Sequence, residues 1–302
     1  MQSTHATHRA IVVIISHRAT LTSLELISLR QCVGILGRHP MVLVCPEGLD
    51  TRWYQDFVPE IPILFVDRRW LSSYAMFAAF KISPYLYERF KEYEYLLFHE
   101  PDAFVFSDQL EFWCSQGLDY VGAPWFRGLT EPMSDEIIGV GNGGFSLRKV
   151  ASHLGIARRF ELEQFLFHGY RRHTGDKLGY LRAKVAHLLG MRRSMPRYIG
   201  PDYHGHEDFF WCRRVPAQHP WFRIASPREA TAFSFEAGPR YLFERNAGRL
   251  PFGCHAWFRY DLDFWKPHIE AFGHRIDPGA LLPELNNPPA AFRGVQPSYM
   301  RP

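Results

Sequence analysis

AIVVIIS, residues 10–16, is an unbroken apolar run, almost wholly β-branched and closed by Ser16. A strand exposed on one face alternates apolar and polar residues; a run with no polar interruption reads as a strand covered on both faces, as in a parallel sheet. Working outward, residues 22–36 repeat apolar side chains at Leu24, Ile27, Leu29, Val33 and Leu36 with helical spacing, and MVLVC at 41–45 is a second buried strand ended by Pro46 and Gly48. Strand, helix, strand is a βαβ unit. PILFV at 62–66 predicts a third strand, residues 72–90 a helix broken at Pro84, and YLLF at 95–98 a fourth strand. Strands that alternate with helices predict an α/β fold, an open and mostly parallel sheet flanked by helices with right-handed crossovers. In such sheets ligands bind beyond the carboxyl ends of the strands.

The remaining chain is less regular. A strand is expected at 120–123 and an apolar, glycine-rich segment at 137–147. Residues 158–197 turn basic, with Arg158, Arg159, Arg171, Arg172, Arg192 and Arg193 among cations that face only Glu161, Glu163 and Asp176, and are expected to form a helical insertion. One domain over 1–277, followed by an extended tail over 278–302 rich in Pro, Asn and Gly, is the expected organisation. With 302 residues, 46% hydrophobic and 16% aromatic, there is material for one large core. The balance of 35 Lys and Arg against 31 Asp and Glu does not describe a nucleic-acid binder. Five scattered cysteines without a CxxC pair argue against a disulfide framework or a structural zinc, so a reducing cytoplasm is expected. The polar start MQSTHATHRA lacks the order of a signal peptide, and no stretch reaches the roughly 20 apolar residues of a membrane span. Any membrane contact is therefore expected to be peripheral, at the inner face. The basic stretch, interleaved with Phe165, Phe167, Tyr170 and Tyr180, suits either docking on anionic lipid or a solvated helical face.

Four short segments carry the chemistry. Glu100-Pro101-Asp102 leaves the fourth strand at the end where ligands bind. Two carboxylates at i and i+2 both reach one divalent ion, and Mg²⁺ or Mn²⁺ held by one or two carboxylates plus substrate phosphates is a common arrangement. VGNGGFSLR at 140–148 places Gly143 and Gly144 where backbone can approach a sugar or phosphate closely and present main-chain donors. HEDFFW at 206–211 sets adjacent acids against aromatics, where partial burial raises a carboxylate's pKa toward that of a useful general base. Neighbouring residues point in different directions, so one of the two serves, Asp208 ahead of Glu207. GCHAW at 253–257 supplies His255, an imidazole able to complete a coordination sphere begun by two acids.

Together YEYLLFHEPDAFVFSDQLEFWCSQGLDYVGAPW, VGNGGFSLRK, HEDFFW and PFGCHAWFRYD resemble a bacterial family long catalogued only as a domain of unknown function and similar to the GT-A glycosyltransferases, over about residues 10–265. The resemblance implies a GT-A-like fold, a nucleotide-sugar donor with UDP favoured, a glycan or lipid-linked glycan acceptor, an inverting transfer, and a place in bacterial surface polysaccharide synthesis. Asp102 matches the second acid of a DxD-like metal motif, while Glu100 stands where many such enzymes have aspartate. His255 corresponds to their late metal-binding histidine, and Asp208 or Glu207 falls at the base. The resemblance also sets His17, Arg18 and Glu25 near the nucleotide, with Arg18 toward phosphate, and Lys81 toward the diphosphate.

Two other functions fit the residues less fully. A carbohydrate-binding protein without turnover would use the same aromatics, Trp125, Trp211, Trp257 and Trp265 among them, for sugar stacking. A nucleotidyl- or phosphotransferase would use the same acids, but the chain has no GxxxxGK[ST] loop.

Overall fold

Every residue of β1 (Ala10–Ile15) is buried. In the computed structural model, which describes residues 9–129, 132, 134–172 and 206–277 (apart from the side chains of 163–172), this strand lies inside the main sheet. Successive side chains of a strand point to opposite faces, and here both faces are covered. Ala10, Val12 and Ile14 join one core with Leu29 and Leu36, while Ile11, Val13 and Ile15 join a second with Phe80 and Leu86. That is why the run carries no polar interruption. Each full burial of a Val or Ile stabilises by about 1.5–3 kcal/mol before entropy is counted.

Helix α1 (Ser23–Leu36) begins at a capping box. The Thr22 hydroxyl accepts from the Glu25 amide (3.3 Å) and the Glu25 carboxylate accepts from the Thr22 amide (3.0 Å). β2 (Met41–Pro46), α2 (Arg52–Phe57) and β3 (Ile63–Val66) follow. The predicted 72–90 helix is two: α3 (Tyr74–Ile82), capped by Ser73, and α4 (Pro84–Glu88). Ser83 between them is extended (ψ 144), the conformation forced on a residue before proline. β4 (Tyr95–His99) returns to the sheet and pairs in parallel with β1, Val13 opposite Phe98.

Beyond β4 come β5 (Phe104–Val105), α5 (Leu110–Ser115), β6 (Tyr120–Val121), β7 (Ala123–Phe126), β8 (Ile137–Gly141), β9 (Phe145–Lys149) and α6 (Val150–Arg172). The predicted 120–123 strand is thus two strands, and the 137–147 segment divides into β8 and β9. The expected basic insertion from 158 onward begins within α6, where Arg158 pairs with Glu88 (2.8 Å), and most of it lies outside the described residues. The tail over 278–302 also lies outside them. Two further strands, β10 (Ser234–Phe235) and β11 (Gly253–Cys254), pair in parallel, and β11 runs antiparallel to β5.

The main sheet has the order β3-β2-β1-β4-β9-β6, with β9 antiparallel to its neighbours. The chain steps outward from β1 through β2 to β3, then crosses back to lay β4 on the other side. This reversal makes a topological switch point between the carboxyl ends of β1 and β4, where an α/β sheet opens a crevice. The segments leaving these two strands are 16–18 and 100–102. Trp211, Trp257 and Trp265 are fully buried and Trp125 nearly so. The four tryptophans expected to stack on sugar are core residues instead, spent on packing. No helix among the described residues is long and apolar enough to cross a membrane.

Candidate functional site

Glu100, Asp102 and His255 converge at the switch point, each offering one ligand atom within 4.8 Å of the others. Nε2 of His255 lies 3.1 Å from Oδ1 of Asp102 and 3.7 Å from Oε2 of Glu100. The approach to Asp102 is close but misaligned: Nε2 is buried and has no hydrogen-bond partner. Its other nitrogen is satisfied, since Nδ1 lies 2.8 Å from Oε1 of Glu236. A buried ring nitrogen set among carboxylate oxygens is a ligand set for a cation. Without one, the site is strongly polarised. Burial opposes charging of the imidazole, but Asp102 first, then Glu100 and Glu236, raise its pKa well above the ordinary histidine value. Burial likewise pushes the Glu100 carboxyl up, and Lys81 ahead of His255 pulls it down to about 2. Burial raises the Asp102 carboxyl as well, but His255 and then Arg259 hold it below the ordinary range, so both acids are ionised at neutral pH.

The glycine loop lies against this cluster. Asn142 takes a left-handed conformation (φ 76), which asparagine tolerates, and its Oδ1 accepts from the Gly144 amide (2.8 Å). The Gly144 carbonyl accepts from the Glu100 amide (2.8 Å), tying the loop to the acidic segment. A Cβ on Gly144 would stand 2.7 Å from Cε1 of His255 and closer still to Cδ2 and Nε2; one on Gly143 would meet Cδ of Glu207 at 3.1 Å. The expectation that Gly143 and Gly144 present main-chain donors to a ligand is corrected at Gly144, whose amide is already used by Asn142. Both glycines are needed because imidazole and carboxylate press on the backbone.

Lys81 also departs from expectation. It is 1% exposed, and its ammonium pairs with Glu100, donates to the Gly143 carbonyl (2.9 Å) and lies 3.7 Å from Glu207. The rings of Phe77 and Phe98 pack on it at 4.5 and 4.9 Å. A cation so enclosed orients Glu100 and Glu207 and has no open approach to a diphosphate. Glu207 is held from the other side by the fully buried Arg148 (2.8 Å). Glu207 therefore belongs to a buried charge network through Oε1, while its Oε2 is buried without a hydrogen-bond partner. Burial, then the charges of Glu207 and Glu236, raise the Asp208 carboxyl to about 7. The helix Glu207–Phe209 runs straight into a π-helical turn, Phe210–Arg214, whose Trp211 indole donates to the Lys81 carbonyl (3.2 Å). Such turns inside helices re-aim side chains near functional sites.

At the β1 end, the Tyr54 hydroxyl donates to the Arg18 carbonyl (3.0 Å) and lies 2.8 Å from the Ser16 hydroxyl, which braces the turn. His17 lies near enough to Glu100 to be influenced by it. Burial and then Arg18 lower the His17 pKa, against the pull of Glu100. Glu25 has a different task from the one expected: besides the Thr22 capping box it pairs with Arg18, so its carboxylate is occupied within the helix start.

Four participants escaped the sequence reading. Glu236 backs His255, Arg148 balances Glu207, Asn142 closes the glycine loop, and Arg259 reaches Oδ2 of Asp102 (3.1 Å) from a half-exposed position. Arg148 and Asn142 stand inside the quoted GNGGFSLR motif. Arg259 likewise stands inside the quoted PFGCHAWFRYD, whereas Glu236 had no local signal, since only the pairing of β10 with β11 brings it in.

A family model described as a protein of unknown function (DUF5672) matches residues 60–255. No curated protein matches the sequence. Among solved structures, the chain is similar to mouse xyloside xylosyltransferase 1 in its apo form, at 11% identity over 82% of this chain and 97% of that one, with a TM-score of 0.44. It is similar to an active-site mutant of LgtC at 10% identity, over 89% and 98%, with a TM-score of 0.46. It is also similar to core-mannan synthase A of Aspergillus fumigatus in a Mn/GDP form, at 12% identity over 52% and 66%, with a TM-score of 0.37. At these scores the weight of a functional reading falls on the side chains of the site.

Proposed function

We propose that this chain, which belongs to the DUF5672 family, is a metal-dependent glycosyltransferase that moves a sugar from a nucleotide-sugar donor to a hydroxyl acceptor. The observation that carries this reading is the buried, unpartnered Nε2 of His255, set among Glu100 and Asp102 at the switch point of the sheet. One imidazole nitrogen with two carboxylates suits Mn²⁺ or Mg²⁺, and the nitrogen tilts the preference to Mn²⁺. When bound, the cation supplies charge neutralisation for the diphosphate leaving group.

The chain's own residues do the rest. Asp102 and Glu100 remain ionised, and Lys81 fixes Glu100 in place through their buried pair. Asp208 takes the proton of the acceptor hydroxyl as its oxygen bonds to the anomeric carbon, and the bond from that carbon to the diphosphate oxygen breaks. Its carboxyl, near 7, is poised for this at neutral pH. Transfer through a single such base inverts the anomeric centre. Ser16, His17 and Arg18 border the same crevice and suit contact with base, ribose or phosphate of the donor. UDP sugars are the first choice of donor. A glycan or lipid-linked glycan is the acceptor class, in bacterial surface polysaccharide synthesis. Peripheral contact with anionic lipid through 158–197 belongs to the same proposal and rests on composition.

The test is a panel of nucleotide sugars with Mn²⁺, read as nucleoside diphosphate released with and without acceptors. Release that depends on Mn²⁺ and is abolished by Asp102→Ala supports the transferase. Sugar binding with no turnover under any donor supports a carbohydrate-binding protein instead.

A further inference from the structure

We infer that Glu236 is the positioning residue of this centre: its carboxylate holds the His255 imidazole with the proton on Nδ1 and so leaves Nε2 bare for the cation. The inference rests on the metal-dependent reading above and adds a residue to it. β10 and β11 pair with Phe235 opposite Cys254, so the next residue of each strand, Glu236 and His255, leaves the sheet edge side by side. The register is held past the strand ends by the His255 amide, which donates to the Phe235 carbonyl (3.0 Å). Ala256 then turns in a left-handed conformation (φ 51), an uncommon one for a residue with a Cβ. The imidazole is thus gripped from one edge by Glu236 at 2.8 Å while Gly144 backs onto its ring.

The two ring nitrogens point in divergent directions. Glu236, bonded at Nδ1, is therefore on the far side of the ring from the ion that Nε2 would meet, and it orients without ligating. A carboxylate on the distal nitrogen selects the tautomer and makes the imidazole a stronger ligand, and loss of such a partner costs 10–100-fold in metal affinity. Glutamine at 236 loses the charge, and its amide, turned about, would donate to Nδ1 and drive the proton onto Nε2.

The experiment uses the full chain without nucleotide. Mn²⁺ affinity is measured calorimetrically for wild type, Glu236→Gln, Glu236→Ala, Asp102→Ala and His255→Ala, with thermal midpoints taken in EDTA. The expected result is a 10–100-fold weaker Mn²⁺ affinity for both Glu236 variants at an unchanged midpoint in EDTA, and no measurable binding for the Asp102 and His255 variants. If the latter two bind Mn²⁺ like wild type, the metal reading itself is wrong and this inference goes with it. If they lose Mn²⁺ while Glu236→Gln and Glu236→Ala keep wild-type affinity, the metal centre stands and the role of Glu236 is refuted. A fall in the EDTA midpoint that tracks the loss of affinity makes Glu236 a structural residue and also overturns the inference.

Discussion

Gly144→Ala isolates the contact between loop and imidazole on which the site depends. The added methyl would lie 2.7 Å from Cε1 of His255 and closer still to Cδ2 and Nε2, against about 3.5–4.0 Å for an ordinary carbon contact, so the ring or the loop must retreat by more than ~1 Å. The ring has little freedom, held by Glu236 (2.8 Å) and close to Asp102 (3.1 Å). The loop is pinned through Asn142 and the Glu100 amide. Gly144 does not lie in the left-handed region, so alanine adds no backbone strain and the effect is that of the methyl alone. Overpacking of this kind costs about 1–3 kcal/mol of stability. Metal ligands tolerate displacements of roughly 0.2 Å, so Mn²⁺ affinity should fall by more than about tenfold. Gly34→Ala is the matched control: it lies within α1 with open space around it, and alanine there should stabilise by about 0.5–1 kcal/mol. The assay pairs chemical unfolding with Mn²⁺ titration. A Gly144→Ala protein with wild-type stability and wild-type Mn²⁺ affinity would show that the imidazole does not press on this loop.

Three further outcomes are expected. Asp208, raised to about 7, is protonated below that pH, so turnover should climb roughly tenfold between pH 6 and pH 8 as the base ionises, and Asp208→Asn should abolish that limb of the pH profile. An unchanged limb in the Asn variant assigns the base elsewhere. Lys81→Met leaves Glu100 and Glu207 buried with a cation missing, and should cost about 3–5 kcal/mol in urea unfolding; a loss under about 1 kcal/mol contradicts the network. Glu25→Ala should lower stability by about 0.5–2 kcal/mol through the cap while leaving the donor KM unchanged, and a raised KM at wild-type stability would return Glu25 to the nucleotide.

Much of the fold was legible because it rests on local patterns. Runs such as 10–15 and 95–98 carry no charged or amide side chain because both sheet faces are covered, and that burial leaves its mark residue by residue. The position of Glu100 and Asp102 follows directly, since the end of a parallel strand is where a crevice opens. What the pattern does not carry is contact between distant segments. Lys81 reads as a free cation one turn from the end of a helix, and only the packing of α3 beside β4 and the glycine loop turns it into a buried partner of Glu100. The tryptophans look like sugar platforms until the layers close over them.

The amino-acid sequence alone determined the α/β class, the order of the first four strands along the chain and the acids at the crevice, because period and burial are local properties of a strand or helix. The tertiary structure decided which charges meet. Glu236 reaches His255 through a two-residue strand pairing, Arg148 reaches Glu207 across 59 positions, and Arg259 reaches Asp102 from a late turn. Electrostatics depends on distance through space, and no spacing along the chain encodes it.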